Sequence, residues 1–326
     1  MSDDPLRVRV AERIPLSDRI VELRLVDADG GLLPGFSAGA HVTLEIPGEP
    51  GQASLWRSYS LVHLDPGDDP SAPRKTWRLG IRLEEASTGG SRFIHEKAVP
   101  GTVLNARPPA NHFPLSGTDD EVTLIAGGIG ITPIVSMMTA LAASRRRFTL
   151  HYTSRSGAQL AFLDEIRAVG GNHVHLYADD EPARAFSLDA LFAGCRPNRP
   201  IYVCGPKGLI DAVFRAAQAR GWDGSKLHSE LFAVETPAGD APFEVELRSG
   251  KVIEVAGDKT LLQALLDAGI YASYDCRAGY CGLCTVGVRS GEIDHRDNYL
   301  SDEEKAGGTL IQACVSRGKT KLQLDI

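Results

Sequence analysis

The sequence predicts a multidomain chain: an antiparallel β-barrel, then an α/β domain with a doubly wound parallel sheet, then a small α+β domain built around cysteines. Three observations predict it. Residues 6–115 alternate apolar and polar side chains with a period of two. Residues 121–232 alternate strand-like and helix-like runs. The last quarter carries Cys276, Cys281 and Cys284 in the pattern C-x-x-x-x-C-x-x-C, answered by Cys314. A length of 326 residues accommodates two or three domains, and 43% hydrophobic with 24% charged residues is ordinary for a soluble globular chain.

In the barrel, residues 1–116, Trp77, Leu79, Ile81 and Leu83 point one way while Arg78 and Arg82 point the other. Val42, Leu44 and Ile46 repeat the pattern, and Asp29-Gly30-Gly31 and Pro47-Gly48 mark turns. Several such strands imply a small antiparallel barrel. Arg57 and Tyr59, two apart in Arg57-Ser58-Tyr59-Ser60, share a strand face, and Ser60 is expected with them. Such a pair can hold a phosphate by charge and lay a ring against a planar ligand. Further on, Thr88-Gly89-Gly90-Ser91 opens an amphipathic run with Phe93 and Ile94, offering bare N–H groups to an anion. The plain alternative is an ordinary strand and an ordinary turn with an N-cap.

The α/β domain covers residues 117–233. Val122–Ala126 leads through Gly127-Gly128-Ile129-Gly130 into a helix expected near Ile134–Ala143. Phe148–Tyr152 precedes a helix around Phe162–Val169, and Val174–Tyr177 follows. Ile201–Cys204 runs into Gly205-Pro206 and a helix through Ala219. That order implies a parallel sheet whose ligands sit beyond the carboxyl ends of its strands. Gly127, Gly128 and Gly130, with Thr132 just after, and Cys204-Gly205-Pro206 fall at such ends. The glycine turn is not the G-x-G-x-x-G fingerprint and reads equally as a tight strand–helix turn. Cys204 reads equally as a buried small hydrophobe.

Residues 234–242 read as a linker by their Pro, Gly and small residues. The last domain, 243–326, opens with a hairpin, Phe243–Leu247 and Lys251–Val255 about Ser249-Gly250. Thr260 then caps a helix over Leu261–Leu266 that Gly269 closes. The cysteine loop follows, with the spacing of plant-type iron–sulfur ligation. Gly279 and Gly282 let the loop fold tightly and turn amide N–H groups toward the sulfurs. A zinc ribbon favours two C-x-x-C knuckles, and here there is one; zinc and inert buried cysteines are the alternatives. Cys195 and Cys204 lie outside this domain and are not ligand candidates.

The net charge of −7 disfavours nucleic acid and anionic membranes as partners. The start, Met1-Ser2-Asp3-Asp4, is acidic where a signal peptide is positive. With four of six cysteines in one metal pattern, a reducing, cytoplasmic setting is expected. Val122–Ala143 carries no charge and is long enough to span a bilayer, but Gly127–Gly130 and Thr132-Pro133 near its centre make it a buried strand, turn and helix start.

Taken in order, Arg57-Ser58-Tyr59-Ser60, Gly89-Gly90-Ser91, Gly127–Pro133, Cys204-Gly205-Pro206 and the cysteine loop resemble the phthalate dioxygenase reductase and vanillate demethylase reductase family over nearly the whole chain. The resemblance implies a flavin barrel, a nicotinamide domain and a ferredoxin-like β-grasp domain with a [2Fe–2S] cluster, passing electrons from NADH to a separate terminal oxygenase. By matching position, Arg57, Tyr59 and Ser60 contact FMN, and Gly89, Gly90 and Ser91 cradle its phosphate. Gly127, Gly128, Gly130, Thr132 and Cys204-Gly205-Pro206 line the nicotinamide nucleotide site. Glu230 and Phe232, in Ser229-Glu230-Leu231-Phe232, lie near the flavin. Ser154-Arg155, after the second strand of the nucleotide domain, is a feature that would suit the 2′-phosphate of NADPH.

The chemistry requires all three parts. NADH gives up two electrons as a hydride, the cluster accepts one at a time, and a flavin does both. The protein's task is orientation and tuning, with Ser60, Cys204 and Glu230 the candidates for placing the nicotinamide over the flavin. No Ser–His–Asp or paired-carboxylate set stands out, and His151 and His175 read as structural. Rival readings are a donor to a haem-thiolate monooxygenase, an oxygenase in its own right, and an iron–sulfur redox sensor. No 2-His-1-carboxylate set supports the second, and a sensor has no need of the flavin and nucleotide motifs.

Overall fold

The computed structural model describes residues 5–48, 54–85, 89–116, 120–232, 240–274, 279–280 and 282–326. The chain divides into two compact units, Met1–Pro206 and Lys207–Ile326.

The first unit opens with β1 (Leu6–Pro15), β2 (Ile20–Asp27), β3 (His41–Ile46), β4 (Leu55–Ser60), β5 (Trp77–Arg82), α1 (Gly90–Glu96) and β6 (Val103–Ala110). The strands pair antiparallel in the order β4-β3-β6-β1-β2-β5. Leu61, just past β4, bridges Leu79 of β5 and so closes the sheet into the expected barrel. The alternation has its physical cause in that closure: Val42, Leu44, Ile46, Trp77, Leu79 and Ile81 all turn into one core. Leu83, expected to continue the row, lies past the end of β5.

The same unit continues with β7 (Glu121–Gly127), α2 (Ile131–Ala143), β8 (Arg147–Ser154), α3 (Leu163–Gly170), β9 (Val174–Ala178), α4 (Leu188–Gly194) and β10 (Ile201–Cys204). These strands run parallel in the order β10-β7-β8-β9. The chain leaves β7 toward β8 and β9, then returns to the other side of β7, so the sheet reverses its winding between β7 and β10. α2 begins at Ile131 rather than Ile134, directly out of a 3-10 turn over Gly128–Gly130. Pro133 is tolerated there because the N–H groups of a first helical turn have no partner within the helix. The short α4 has no counterpart in the sequence reading; Ser187 caps it, its hydroxyl accepting the Ala190 N–H at 3.3 Å.

Barrel and sheet are stitched together by polar groups inside this unit. The Ser136 hydroxyl of α2 donates to the Leu61 carbonyl at 2.8 Å and accepts the His63 N–H at 2.9 Å. The Tyr202 hydroxyl accepts the Ser116 N–H at 2.9 Å. Arg78 of β5 reaches Glu22 of β2 at 2.6 Å and Glu165 of α3 at 3.1 Å. Ile20, Val62 and Phe113 of the barrel segment pack into the core beneath the parallel sheet.

The second unit contains α5 (Lys207–Gln218), β11 (Leu227–Glu230), β12 (Phe243–Glu246), β13 (Val252–Val255), α6 (Leu261–Asp267), β14 (Thr285–Ser290), β15 (Ile293–Asp294), α7 (Asp302–Gly307), β16 (Leu310–Gln312), β17 (Arg317–Gly318) and β18 (Leu322–Leu324). Its main sheet runs β13-β12-β18-β14-β16, with β12 and β18 parallel and the other neighbours antiparallel. That is the expected β-grasp, with Leu261, Leu262 and Leu265 of α6 in its core. The expected hairpin is present, and Thr260 caps α6 by accepting the Gln263 N–H at 3.1 Å. Most of the proposed linker, residues 234–239, lies outside the described residues. Among the described residues no helix is long and apolar enough to cross a membrane; Val122–Ala143 is divided between β7, the 3-10 turn and α2.

Candidate cofactor sites

Two candidate sites lie in the first unit. The first is built on β4 and the start of α1. A Cβ on Gly90 would come 2.9 Å from Arg57 Cγ and 3.3 Å from the Tyr59 hydroxyl, so a side chain there would fill the cradle. Gly89 caps α1 at φ 110°, and the Glu84 N–H donates to Ser91 Oγ at 3.2 Å, tying the loop back toward β5. Thr88 lies outside the described residues. Burial pushes the Tyr59 phenol up to about 12, partly offset by the Arg57 charge, so it stays protonated and can donate. A guanidinium, a phenol and bare backbone fit the phosphate and ring edge of a flavin mononucleotide.

Ser60 departs from expectation. The β3–β4 register sets Tyr59 across from Val42 and Ser60 across from His41. Successive strand residues point to opposite faces, so Ser60 does not share the face of Arg57 and Tyr59. Its hydroxyl is nevertheless buried. The sequence reading also missed Trp56 and Arg107, whose guanidinium stands 4.5 Å above the indole ring. That pair joins β4 to β6 and left no local signal.

The second site is the reversal point between β7 and β10. A Cβ on Gly130 would lie 2.3 Å from the Cys204 carbonyl oxygen, and one on Gly205 would lie 2.9 Å from Gly127 Cα. The two strand-end loops therefore touch backbone to backbone. Gly127, Gly128, Gly130, Thr132, Cys204, Gly205 and Pro206 are gathered here as expected. The close approach supplies a physical need for the glycines that the sequence pattern alone did not. Thr132 is buried, its hydroxyl donating to the Ile129 carbonyl at 3.0 Å. Cys204 is fully buried in the core under the sheet, as its reading as a small hydrophobe has it.

Beside this site, the Asp179 N–H donates to the Ser154 carbonyl at 3.0 Å and the Asp180 N–H to the Arg155 carbonyl at 3.2 Å. The Asp180 carboxylate lies at the same loop, its Oδ1 accepting the Gly157 N–H at 3.2 Å. His151 and His175 stack at 5.1 Å, and His151 Nδ1 lies 2.9 Å from the Tyr177 hydroxyl. Burial, with His175 adding to it, pushes His151 down to about 4. A neutral imidazole packed among rings is structural, as expected.

The third site is in the second unit. Cys284 and Cys314 are both buried, with Sγ atoms 3.1 Å apart. Cys276 and Cys281 lie outside the described residues. A Cβ on Gly282 would meet the Tyr299 ring at 2.2 Å, so only glycine lets this part of the loop pass under that ring. The loop is braced from the other side by Asp297. Its fully buried carboxylate accepts the Leu300 N–H at 2.9 Å and the Ser316 hydroxyl at 3.1 Å, while the Asn298 N–H donates to the Gly279 carbonyl at 2.9 Å. Tyr280 is buried against Phe214 of α5, ring centroids 4.8 Å apart. Two converging thiols in a braced, dry loop fit a metal cluster. Glu230 closes β11, and Phe232 just beyond it is 47% exposed; both belong to this second unit.

A family model described as a 2Fe-2S iron-sulfur cluster binding domain matches residues 245–319. One described as the N-terminal domain of dimethylamine monooxygenase subunit DmmA-like proteins matches residues 102–227. The first of these decides between an iron–sulfur cluster and zinc. The heme-dependent oxidative N-demethylase beta subunit of Ectopseudomonas mendocina is 39% identical over 314 residues, 96% of each chain. The vanillate O-demethylase oxidoreductase of a Pseudomonas species is 39% identical over 313 residues, 94% of this chain and 95% of its own. The solved structure of phthalate dioxygenase reductase is described as modular, for electron transfer from pyridine nucleotides to [2Fe-2S]. It matches with a TM-score of 0.66 and 34% identity, covering 99% of this chain and 98% of that one.

The chain belongs to this reductase family. It is an oxidoreductase whose last domain matches a 2Fe-2S iron-sulfur cluster binding domain. The barrel, the parallel sheet and the iron–sulfur fold are its three working parts.

Proposed function

We propose that the reductase is the electron-supplying component of a Rieske-type oxygenase system, a separate protein that receives electrons one at a time from the cluster. The observation that carries this reading is co-linearity: the match to an O-demethylase oxidoreductase runs over 94% of the chain without a missing part. Bound FMN supplies the exchange between two-electron and one-electron transfer. The chain's own residues bind and orient. Arg57 and the backbone at Gly89 and Gly90 hold the phosphate, with Tyr59 donating from its protonated hydroxyl. The glycine turn after β7 and Cys204-Gly205-Pro206 after β10 receive the nicotinamide nucleotide. By the resemblance, Ser60, Cys204 and Glu230 are the candidates for placing the nicotinamide, and Phe232 is expected near the flavin. Cys276, Cys281, Cys284 and Cys314 ligate the cluster.

The Asp180 carboxylate, in the segment paired with Ser154-Arg155, would oppose a 2′-phosphate and supports NADH over NADPH. Four of six cysteines in one metal pattern support a cytoplasmic setting. A second reading has one specific support: a relative matching 96% of the chain is named for a heme-dependent demethylase, so a haem protein is the alternative acceptor. The test is NADH consumption with candidate oxygenases added singly. A Rieske-type component that raises consumption and product together supports the proposal; a response confined to haem proteins moves it to the second reading.

A further inference from the structure

Gln312 is fully buried on β16, two residues before Cys314 and directly across from Thr285 of β14. Its amide lies between two groups of the cluster loop. Oε1 is 3.2 Å from Cys284 Sγ, and Nε2 is 2.5 Å from Thr285 Oγ1. Thr285 Oγ1 is in turn 2.5 Å from the Gly282 carbonyl. The neighbours Ile311 and Ala313 are apolar and fully buried. Packing alone would be served by Met or Leu here, and an amide stranded in such a place is costly. The amide is therefore explained by what it touches.

We propose that Gln312 is a positioning residue for the cluster: its side-chain N–H donates to the Cys284 sulfur and favours the reduced state. The inference rests on the [2Fe–2S] assignment of the cysteine loop. A thiol donates to the amide oxygen, whereas a metal-bound thiolate only accepts. A half-turn of the amide exchanges its oxygen and nitrogen, presenting Nε2–H to Sγ. Oε1 then receives the Thr285 hydroxyl proton, which lies within reach of both the amide and the Gly282 carbonyl. A hydrogen bond to a ligating sulfur stabilises the charge that reduction adds, and so raises the potential.

The test uses the holoprotein. In an anaerobic redox titration followed by EPR, Gln312→Met makes cluster reduction about tenfold less favourable, a drop of about 59 mV for one electron. The flavin midpoint in the same sample stays in place. A loaded Gln312→Met cluster whose reduction equilibrium stays within about a factor of two of the parent overturns the proposal. Pulsed EPR of the unsubstituted protein, carrying side-chain ¹⁵N-glutamine, gives an independent reading. A nitrogen coupling to the reduced cluster is expected, and its absence overturns the proposal even if Gln312→Met fails to take up iron. Protein that holds no iron at all overturns the cluster assignment itself.

Discussion

The cluster loop and the flavin–nicotinamide sites differ in how far apart in sequence their parts lie. The cluster loop draws three of its four cysteines from nine consecutive residues, Cys276–Cys284. The proposed flavin and nicotinamide sites of the first unit draw on β4, the start of α1, the turn after β7 and the end of β10. A contiguous site depends on local loop geometry and a brace such as Asp297. A dispersed site depends on the whole barrel and sheet holding register, which is what the Ser136, Tyr202 and Arg78 contacts secure. The two regions should therefore fail differently, and substitutions can sharpen or break that contrast.

The largest effect is expected at the cluster. Cys314→Ser removes a buried ligand, and electron delivery to one-electron acceptors falls on the order of 100-fold, measured as anaerobic acceptor reduction alongside iron content. Full iron content with unchanged delivery would mean that Cys314 is not a ligand. Next comes Arg57→Ala in the dispersed site. Losing a charge-assisted contact of about 1.5–3 kcal/mol weakens FMN binding about 10- to 100-fold, read by equilibrium dialysis. An unchanged FMN affinity would place the phosphate elsewhere.

A smaller effect is expected at the seam. Ser136→Ala leaves the Leu61 carbonyl and the His63 N–H without their shared partner and costs about 2 kcal/mol. Urea unfolding of the first unit should shift to a lower midpoint while the cluster spectrum persists to the parent concentration. Coincident loss of both signals would deny the two-unit description. The smallest is a pH effect. His151 titrates at about 4 when folded against 6.5 when free, so the unfolded chain binds the extra proton between those values. Stability is therefore full above about pH 6.5 and declines as pH falls toward about 4, by about 1.4 kcal/mol near pH 5.5. His151→Gln should flatten that part of the profile, and a parallel decline in the variant would assign the acid sensitivity to other groups.

How much was legible in the sequence follows the same contrast. The cysteine loop, the hairpin and the capped α6 were readable because each is a local pattern. The barrel's period of two and the strand–turn–helix alternation gave the two larger folds. The start of α2 was misplaced because Thr132-Pro133 reads as a break, whereas a proline in the first helical turn forfeits no helical hydrogen bond. Ser60 was assigned to the wrong face by grouping it with Tyr59 instead of counting the pleat. Ser136 and Gln312 were invisible because their importance comes from partners far away in sequence. A serine inside an apolar helix looks incidental until its barrel contacts are known.

The central claim is that hydride transfer is a property of the first unit's sites and one-electron delivery a property of the cluster. Stopped-flow reduction of the Cys314→Ser protein by NADH under nitrogen tests it most directly. The account predicts flavin reduction within about twofold of the parent rate, as expected where the chemical step needs only oriented partners, with acceptor reduction lost. Collapse of flavin reduction while FMN remains bound would contradict the order NADH to flavin to cluster.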